Sequence, residues 1–250
     1  MRSIGKRCAA GLGLALVLTF AGAPAQATAI YTASASAVLT VQSINGGELS
    51  NLSITASTEI TDENSMSGGN GTASTDGSAI PSGSTVLSPG GTINLMAMAN
   101  GSADPVGNAM SFFLTDSEIE IENLSDNETF EIDFLLEYTL SAQADVDNLA
   151  SEDANALSTV AVETELLGIL FELALQANPD QGLPNDSVTD TFQFSIVVAP
   201  EDSEVINLLA DAEGQATAED GPVVVDVPAP AALPLFLVAL AGLAIARRRA

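Results

Sequence analysis

The stretch that decides the fold is Phe130-Glu131-Ile132-Asp133-Phe134-Leu135-Leu136-Glu137-Tyr138-Thr139-Leu140. Large apolar side chains recur in it at every second residue, and three of the positions between them carry carboxylates. A period of two residues is typical of a β-strand with one face on a core and the other in water. The stretch therefore predicts a half-buried strand rather than a helix.

The residues just before this stretch predict a partner for it. Ile119 and Ile121 alternate with Glu118, Glu120 and Glu122, and a polar connection rich in Asn, Ser and Asp follows at 123–128. Such residues favour turns, because their side chains bond to nearby backbone groups. We therefore expect a hairpin.

The expected hairpin would gather carboxylates on one sheet face. It would place Glu118, Glu120 and Glu122 beside Glu131 and Asp133 on the adjoining strand. Like charges opposed across strands cost about 0.2–1 kcal/mol per pair. The face is then either a solvated surface or a patch for divalent cations or a basic polymer.

Similar alternation recurs along the chain and predicts an all-β protein. Its segments are 33–41, 52–60, 92–99, 109–114, 157–164, 167–175, 191–198 and 204–218. The run 167–175 also fits a helical pattern, but Gly168 favours a strand. Eight to eleven short strands over residues 28–226 predict an antiparallel β-sandwich with jelly-roll or immunoglobulin-like connections.

One segment of the body lacks this pattern. Residues 62–91 are rich in Gly, Ser, Thr, Asn and Asp, and predict a long mobile loop. Its last residues, Ser88-Pro89-Gly90-Gly91, place Pro and Gly where a type II turn needs them, directly before the strand at Thr92.

The charge distribution excludes most enzyme chemistry. The 250 residues carry 33 Asp and Glu against 6 Lys and Arg, for a net charge of −27, and no Lys, Arg or His lies between Cys8 and Ala246. Catalytic His, Schiff-base Lys and phosphate-binding cations are therefore missing from the body, and nucleic acid is not an expected partner. We expect no enzymatic activity and assign no catalytic residue.

The sequence contains no complete metal-binding motif. Asp145, Asp147 and Glu152 suggest a calcium loop, but counting from Asp145 the sixth position is Ala150 where Gly is needed and the twelfth is Ala156 where Glu is needed. No metal ligand and no cofactor are predicted. Ca²⁺ held by other oxygen ligands stays open as an alternative.

The N-terminus predicts a cleavable signal peptide over residues 1–27. Arg2, Lys6 and Arg7 precede an apolar run, and Ala25 and Ala27 form a small-x-small cleavage site for signal peptidase. The mature chain would begin at Thr28. It would contain no cysteine, because Cys8 would leave with the signal.

The C-terminus has three parts that form one sorting signal over residues 227–250. A short motif at 227–231 is made by Val227, Pro228, Pro230 and Ala231 with Ala229 between the prolines, an apolar helix is expected over 231–246, and Arg247, Arg248 and Arg249 follow. A helix of that length spans about 24 Å at ~1.5 Å per residue, enough to insert where the bilayer thins. The arginines would stop transfer and stay cytoplasmic.

This tail resembles the PEP-CTERM sorting signal of Gram-negative bacteria, in the variant that reads Val-Pro-Leu-Pro-Ala, with Ala229 in place of Leu. The resemblance covers residues 226–250 only. It implies recognition by an exosortase-type sorting enzyme and an association with exopolysaccharide or biofilm.

Together these features predict an exported structural or interaction protein of the cell surface or extracellular matrix. Its partners would be signal peptidase, the exosortase, the inner membrane transiently through the C-terminal helix, and exopolysaccharide. The alternative is a calcium-dependent carbohydrate-binding or adhesin module.

Overall fold

The computed structural model describes residues 28–147 and 149–219, and the strands there form two antiparallel sheets, which confirms the all-β prediction. The strands are β1 (Ala29–Asn45), β2 (Leu52–Gly69), β3 (Thr72–Ile80), β4 (Gly83–Val86), β5 (Thr92–Ala103), β6 (Gly107–Asn123), β7 (Phe130–Val146), β8 (Glu152–Thr164), β9 (Gly168–Ala177), β10 (Asp186–Val198) and β11 (Ser203–Ala218). A single 3₁₀ turn, Leu49–Asn51, precedes β2.

The connections alternate between the sheets. Sheet A has the order β10-β7-β1-β5-β3, and sheet B has the order β4-β2-β6-β11-β8-β9. Within the described residues, β8 and β9 are the only strands consecutive in sequence that pair with each other. Every other connection crosses from one sheet to the other, so the pairing is almost entirely long-range.

The alternating segments are strands, as predicted. Residues 168–175 of the run at 167–175 lie in β9, which confirms the strand over the helix. The segments 109–114 and 118–122 are parts of one long strand, β6.

The predicted hairpin is wrong. Strand β6 lies in sheet B and β7 lies in sheet A, so the connection 124–129 crosses between the sheets. Six residues easily span the roughly 10 Å between two packed sheets. A period of two residues reports which face of a strand is buried, but it does not report which strand lies beside it.

The predicted long loop at 62–91 is also wrong for most of its length. Residues 62–69 continue β2 beside β6, while β3 pairs with β5 and β4 pairs with β2. Backbone pairing at the edge of a sheet does not require apolar side chains, and most of these side chains are exposed. The turn at its end is confirmed, because the Gly91 amide donates to the Ser88 carbonyl at 2.7 Å and Gly90 has a φ of +83°.

The core fills the space between the sheets and changes character along the strands. At one end large side chains from both sheets pack together, among them Phe130, Phe134 and Ile119. At the other end the buried residues are mainly alanines. We call these the wide end and the alanine end.

One aromatic ring at the alanine end, that of Tyr31, connects the two sheets. Tyr31 on β1 is buried, and its hydroxyl lies 2.7 Å from Ser111 Oγ on β6 in the opposite sheet. A Cβ at Gly101 or Gly214 would overlap the ring, so the two glycines create its space. Burial raises the pKa of Tyr31, and the hydrogen bond to Ser111 opposes that rise.

A buried asparagine joins the crossings at the wide end. The Asn123 side-chain amide donates to the carbonyls of Glu128 at 2.7 Å, Val198 at 3.1 Å and Ala199 at 2.9 Å, and its Oδ1 accepts from the Ser125 amide. It thus connects the β6–β7 crossing to the β10–β11 crossing. Removing it would break all four of these hydrogen bonds, of which the bonds to the Val198 carbonyl and from the Ser125 amide are buried.

Replacing Asn123 by Ala should therefore lower the free energy of unfolding by about 2–4 kcal/mol. The measurement is urea denaturation followed by circular dichroism. Asn64→Ala, at an exposed position on β2, is the control and should change stability by less than about 0.5 kcal/mol. Equal effects of the two substitutions would contradict this role for Asn123.

Candidate functional site

The residues predicted to direct processing lie outside the described residues. They are Ala25, Ala27, Val227, Pro228, Pro230, Ala231, Arg247, Arg248 and Arg249. In the part of the chain that the structure describes, no helix is long and apolar enough to cross a membrane.

The two ends of the described body leave from the same place. The Asp147 amide donates to the Thr28 carbonyl at 3.2 Å, and the Glu219 amide donates to the Ser151 carbonyl at 2.9 Å. The connection between β7 and β8 therefore holds both ends, at the alanine end of the body. Thr28 and Glu219 are thus both bonded to the same connection.

The same connection contains the carboxylates that resembled a calcium loop. Glu152 is buried, and its Oε2 accepts a hydrogen bond from the Asp147 amide at 2.6 Å. This carboxylate thus helps to hold the chain ends.

The predicted acidic face is divided between the two sheets. Glu118, Glu120 and Glu122 are exposed on the outer face of sheet B, whereas Glu131 and Asp133 lie on the outer face of sheet A. The expectation that they adjoin is wrong, because it depended on the hairpin. The structure does not bring the five carboxylates together.

The strand registers place neutral residues opposite nearly all the carboxylates of the described strands. The partners of the three glutamates on β6 are neutral: Ser57 and Asn207 for Glu118, Thr55 and Val205 for Glu120, Ser53 and Ser203 for Glu122. Among all registered pairs of the described strands, only Glu59 and Asp116 are two opposed carboxylates. The Thr61 hydroxyl donates to Asp116 Oδ1 at 2.6 Å beside that pair. The registers thus avoid nearly all the direct cross-strand repulsion.

Asp133 is a carboxylate held by three side-chain donors. The hydroxyls of Ser43 and Ser195 donate to its two oxygens at 2.5 and 2.6 Å, and Asn45 Nδ2 lies 3.4 Å from Oδ2. The hydrogen bonds from Ser195 and then Ser43 lower the pKa of Asp133.

Asp211 has the opposite environment. It lies on the outer face of sheet B, where Leu114 and Thr159 are its cross-strand partners, and its Oδ1 is buried without a hydrogen bond. Burial, and then the charge of Glu213, raise its pKa to about 7. This carboxylate is therefore partly protonated near neutral pH.

The loops at the wide end carry further carboxylates around two shallow grooves. Glu48, Asp126 and Glu128 line one, and Glu122, Glu201 and Asp202 line the other. No group of three or more acidic side chains within 28–147 and 149–219 is arranged to hold a metal ion.

Comparison with known proteins identifies no relative: no family model, no curated protein and no solved structure matches this chain.

The sequence pattern alone does not identify Asn123 and Asp211 as structurally important residues. Asn123 stands in a polar connection where asparagine is ordinary, and its burial depends on two crossings that meet from distant parts of the chain. Asp211 interrupts the strand Leu208-Leu209-Ala210-Asp211-Ala212, and a lone carboxylate among apolar residues was the available signal.

Asp211 predicts a stability difference that depends on pH. Folding raises the pKa of Asp211, so between about pH 4 and pH 7 the folded chain binds a proton that the unfolded chain does not bind. The stabilisation that this proton gives the folded chain is lost as pH rises through 7. Asp211→Asn should therefore raise the melting temperature by a few degrees at pH 8 and leave it nearly unchanged at pH 4.

The control is Asp76→Asn, at an exposed position on β3 opposite Met98. It removes the same charge without a buried oxygen, so it should give a smaller shift. A gain for Asp211→Asn that is equal at pH 4 and pH 8 would contradict the assignment.

Proposed function

We propose that this chain is an exported structural protein of the cell surface or extracellular matrix, processed by an exosortase-type system and associated with exopolysaccharide or biofilm. The observation that carries the proposal is the order of parts at the C-terminus: the motif at 227–231, the apolar run to Ala246 and the three terminal arginines. The resemblance of this tail to PEP-CTERM signals gives the processing enzyme its class.

The charge map supports this route. Arginines at the end of an apolar helix stay on the cytoplasmic side, so the body would be left outside. The body, whose carboxylates lie between Glu48 and Asp226, contains no Lys or Arg that would favour keeping it on the cytoplasmic side. The inner membrane is then a transient partner, and signal peptidase acting at Ala25 and Ala27 is the first processing enzyme.

The position of the chain ends supports a tethered body. Thr28 and Glu219 lie at the alanine end, so a chain held at either terminus would present its wide end away from the membrane. A sandwich of jelly-roll or immunoglobulin-like type suits such a non-catalytic spacer or adhesive body. We assign it no enzymatic activity and no cofactor.

The proposal predicts a defined cut in the tail. The exported chain should end near Val227–Ala231 and lack Arg247–Arg249, while a chain with Pro228→Ala and Pro230→Ala should stay in the membrane at full length. Intact-mass spectrometry of the membrane and extracellular fractions makes the measurement.

The matched control is Pro222→Ala, which removes a proline just outside the motif and should be processed as usual. Normal processing of the double variant would refute the sorting signal.

A further inference from the structure

The two open sides of the body differ in chemistry. Between β2 and β3 the lining is small and polar, and the Thr75 hydroxyl donates to Glu63 Oε1 at 2.7 Å across the gap. Between β9 and β10 the lining is apolar and half-buried: Leu170, Phe171, Leu173, Leu175, Val188, Phe192 and Phe194. We call this second side the aromatic side.

The rings on the aromatic side form one continuous row. Phe171 lies 5.1 Å from Phe192 and 4.8 Å from Tyr138 between ring centroids, and Phe192 lies 5.7 Å from Phe194. Stacked rings that stay half-exposed retain apolar surface to bury. The row runs directly between two edge strands.

The two edges are not equally protected. On β10, Asp190 occupies a position opposite Tyr138 on the core-facing side of the strand, and burial and then the charge of Asp190 raise the pKa of that tyrosine. An inward-placed charge is a known guard against strand addition. Strand β9 has only Glu172, on its outer face, and no proline or lysine. The backbone of β9 is therefore the less protected of the two edges against the addition of a strand.

A segment of the same chain matches this edge. Residues 223–227 read Val-Val-Val-Asp-Val, so Val223, Val225 and Val227 fall on one face of a strand and Asp226 on the other. β-Branched residues suit a strand. These residues lie outside the described part of the chain and follow it within a few residues.

The segment cannot cover the aromatic row of its own body. Phe171 pairs with Val162, which pairs with Leu208, ten residues before Ala218. Phe171 thus lies ~34 Å along the sheet from the end of β11, and a strand added outside β9 would lie three strand spacings, ~14 Å, from β11. Val227 is nine residues beyond Ala218 and reaches at most ~31 Å. A strand of residues 223–227 beside Phe171 must therefore come from another molecule.

We infer that residues 223–227 of a second copy of this chain add as an antiparallel strand to the β9 edge and cover the aromatic side. The contact is heterologous, since the segment of one copy meets β9 of the next, and it joins copies head to tail into chains or closed rings. Its hydrogen bonds are backbone bonds and its specificity comes from the valines over Phe171 and Leu173. Repulsion between the acidic bodies opposes the contact, so salt strengthens it. The inference does not depend on where the tail is cut, provided that Val223–Val227 are retained.

The test mixes two differently labelled populations of the full chain, both carrying Cys8→Ser. One carries Val225→Cys, the other Leu173→Cys, and a short bis-maleimide joins thiols in about 0.5 M NaCl. Cross-linked dimers should form at least fivefold more than when the second population carries Thr75→Cys, on the polar open side. Equal yields with both acceptors, or no dimer with Leu173→Cys, would overturn the inference.

Sedimentation velocity supplies an independent measurement without added thiols. The wild-type mass should grow at least twofold with concentration in high salt, Val225→Asp should stay monomeric, and Val86→Asp on the exposed β4 should assemble as the wild type does. A monomeric wild type would refute the second copy as partner. The masses of the chains report tail processing separately, so failure of the sorting signal is distinguishable from failure of assembly.

Discussion

Every carboxylate of the body must be stabilised without a cation from within the body. No Lys, Arg or His lies between Cys8 and Ala246, so no salt bridge can form inside the body. Water and neutral donors are what remain. The register of the strands meets this requirement by opposing carboxylates to serine, threonine, asparagine or apolar residues, with Glu59 and Asp116 as the exception among the described pairs.

Because only water and neutral donors are available, the pKa of each carboxylate depends on whether such a donor reaches it. Asp133 is held by two serine hydroxyls and its pKa falls, whereas Asp211 has an oxygen without a donor and its pKa rises. Inside the body, Tyr31 and Asn123 link strands and crossings with neutral hydrogen bonds. Apolar burial supplies the driving force, and neutral polar groups fix the arrangement.

The sequence was sufficient for the faces of the strands and insufficient for their neighbours. Alternation at 130–140 correctly identified which side chains of β7 are buried, and Ser88–Gly91 correctly predicted a turn. The β6–β7 hairpin failed because nearly every connection crosses between the sheets, so pairing is decided by contacts far apart in sequence. The loop at 62–91 failed because edge strands can be paired through the backbone while their side chains remain polar. The acidic face failed with the hairpin, since the grouping of the carboxylates depends on strand order.

Adding one carboxylate opposite existing carboxylates tests most directly whether the strand registers prevent cross-strand repulsion. Asn207 on β11 lies opposite Glu118 and Glu163, so Asn207→Asp would create two opposed pairs. Asn108 on β6 is exposed, as Asn207 is, and lies opposite Gly68 and Thr217, so Asn108→Asp adds the same charge without an opposed acid. We expect the free energy of unfolding at low salt to fall by about 0.4–2 kcal/mol more for Asn207→Asp than for Asn108→Asp, at ~0.2–1 kcal/mol per pair, and the difference to shrink in 1 M NaCl. Equal losses for the two variants would contradict this role of the registers.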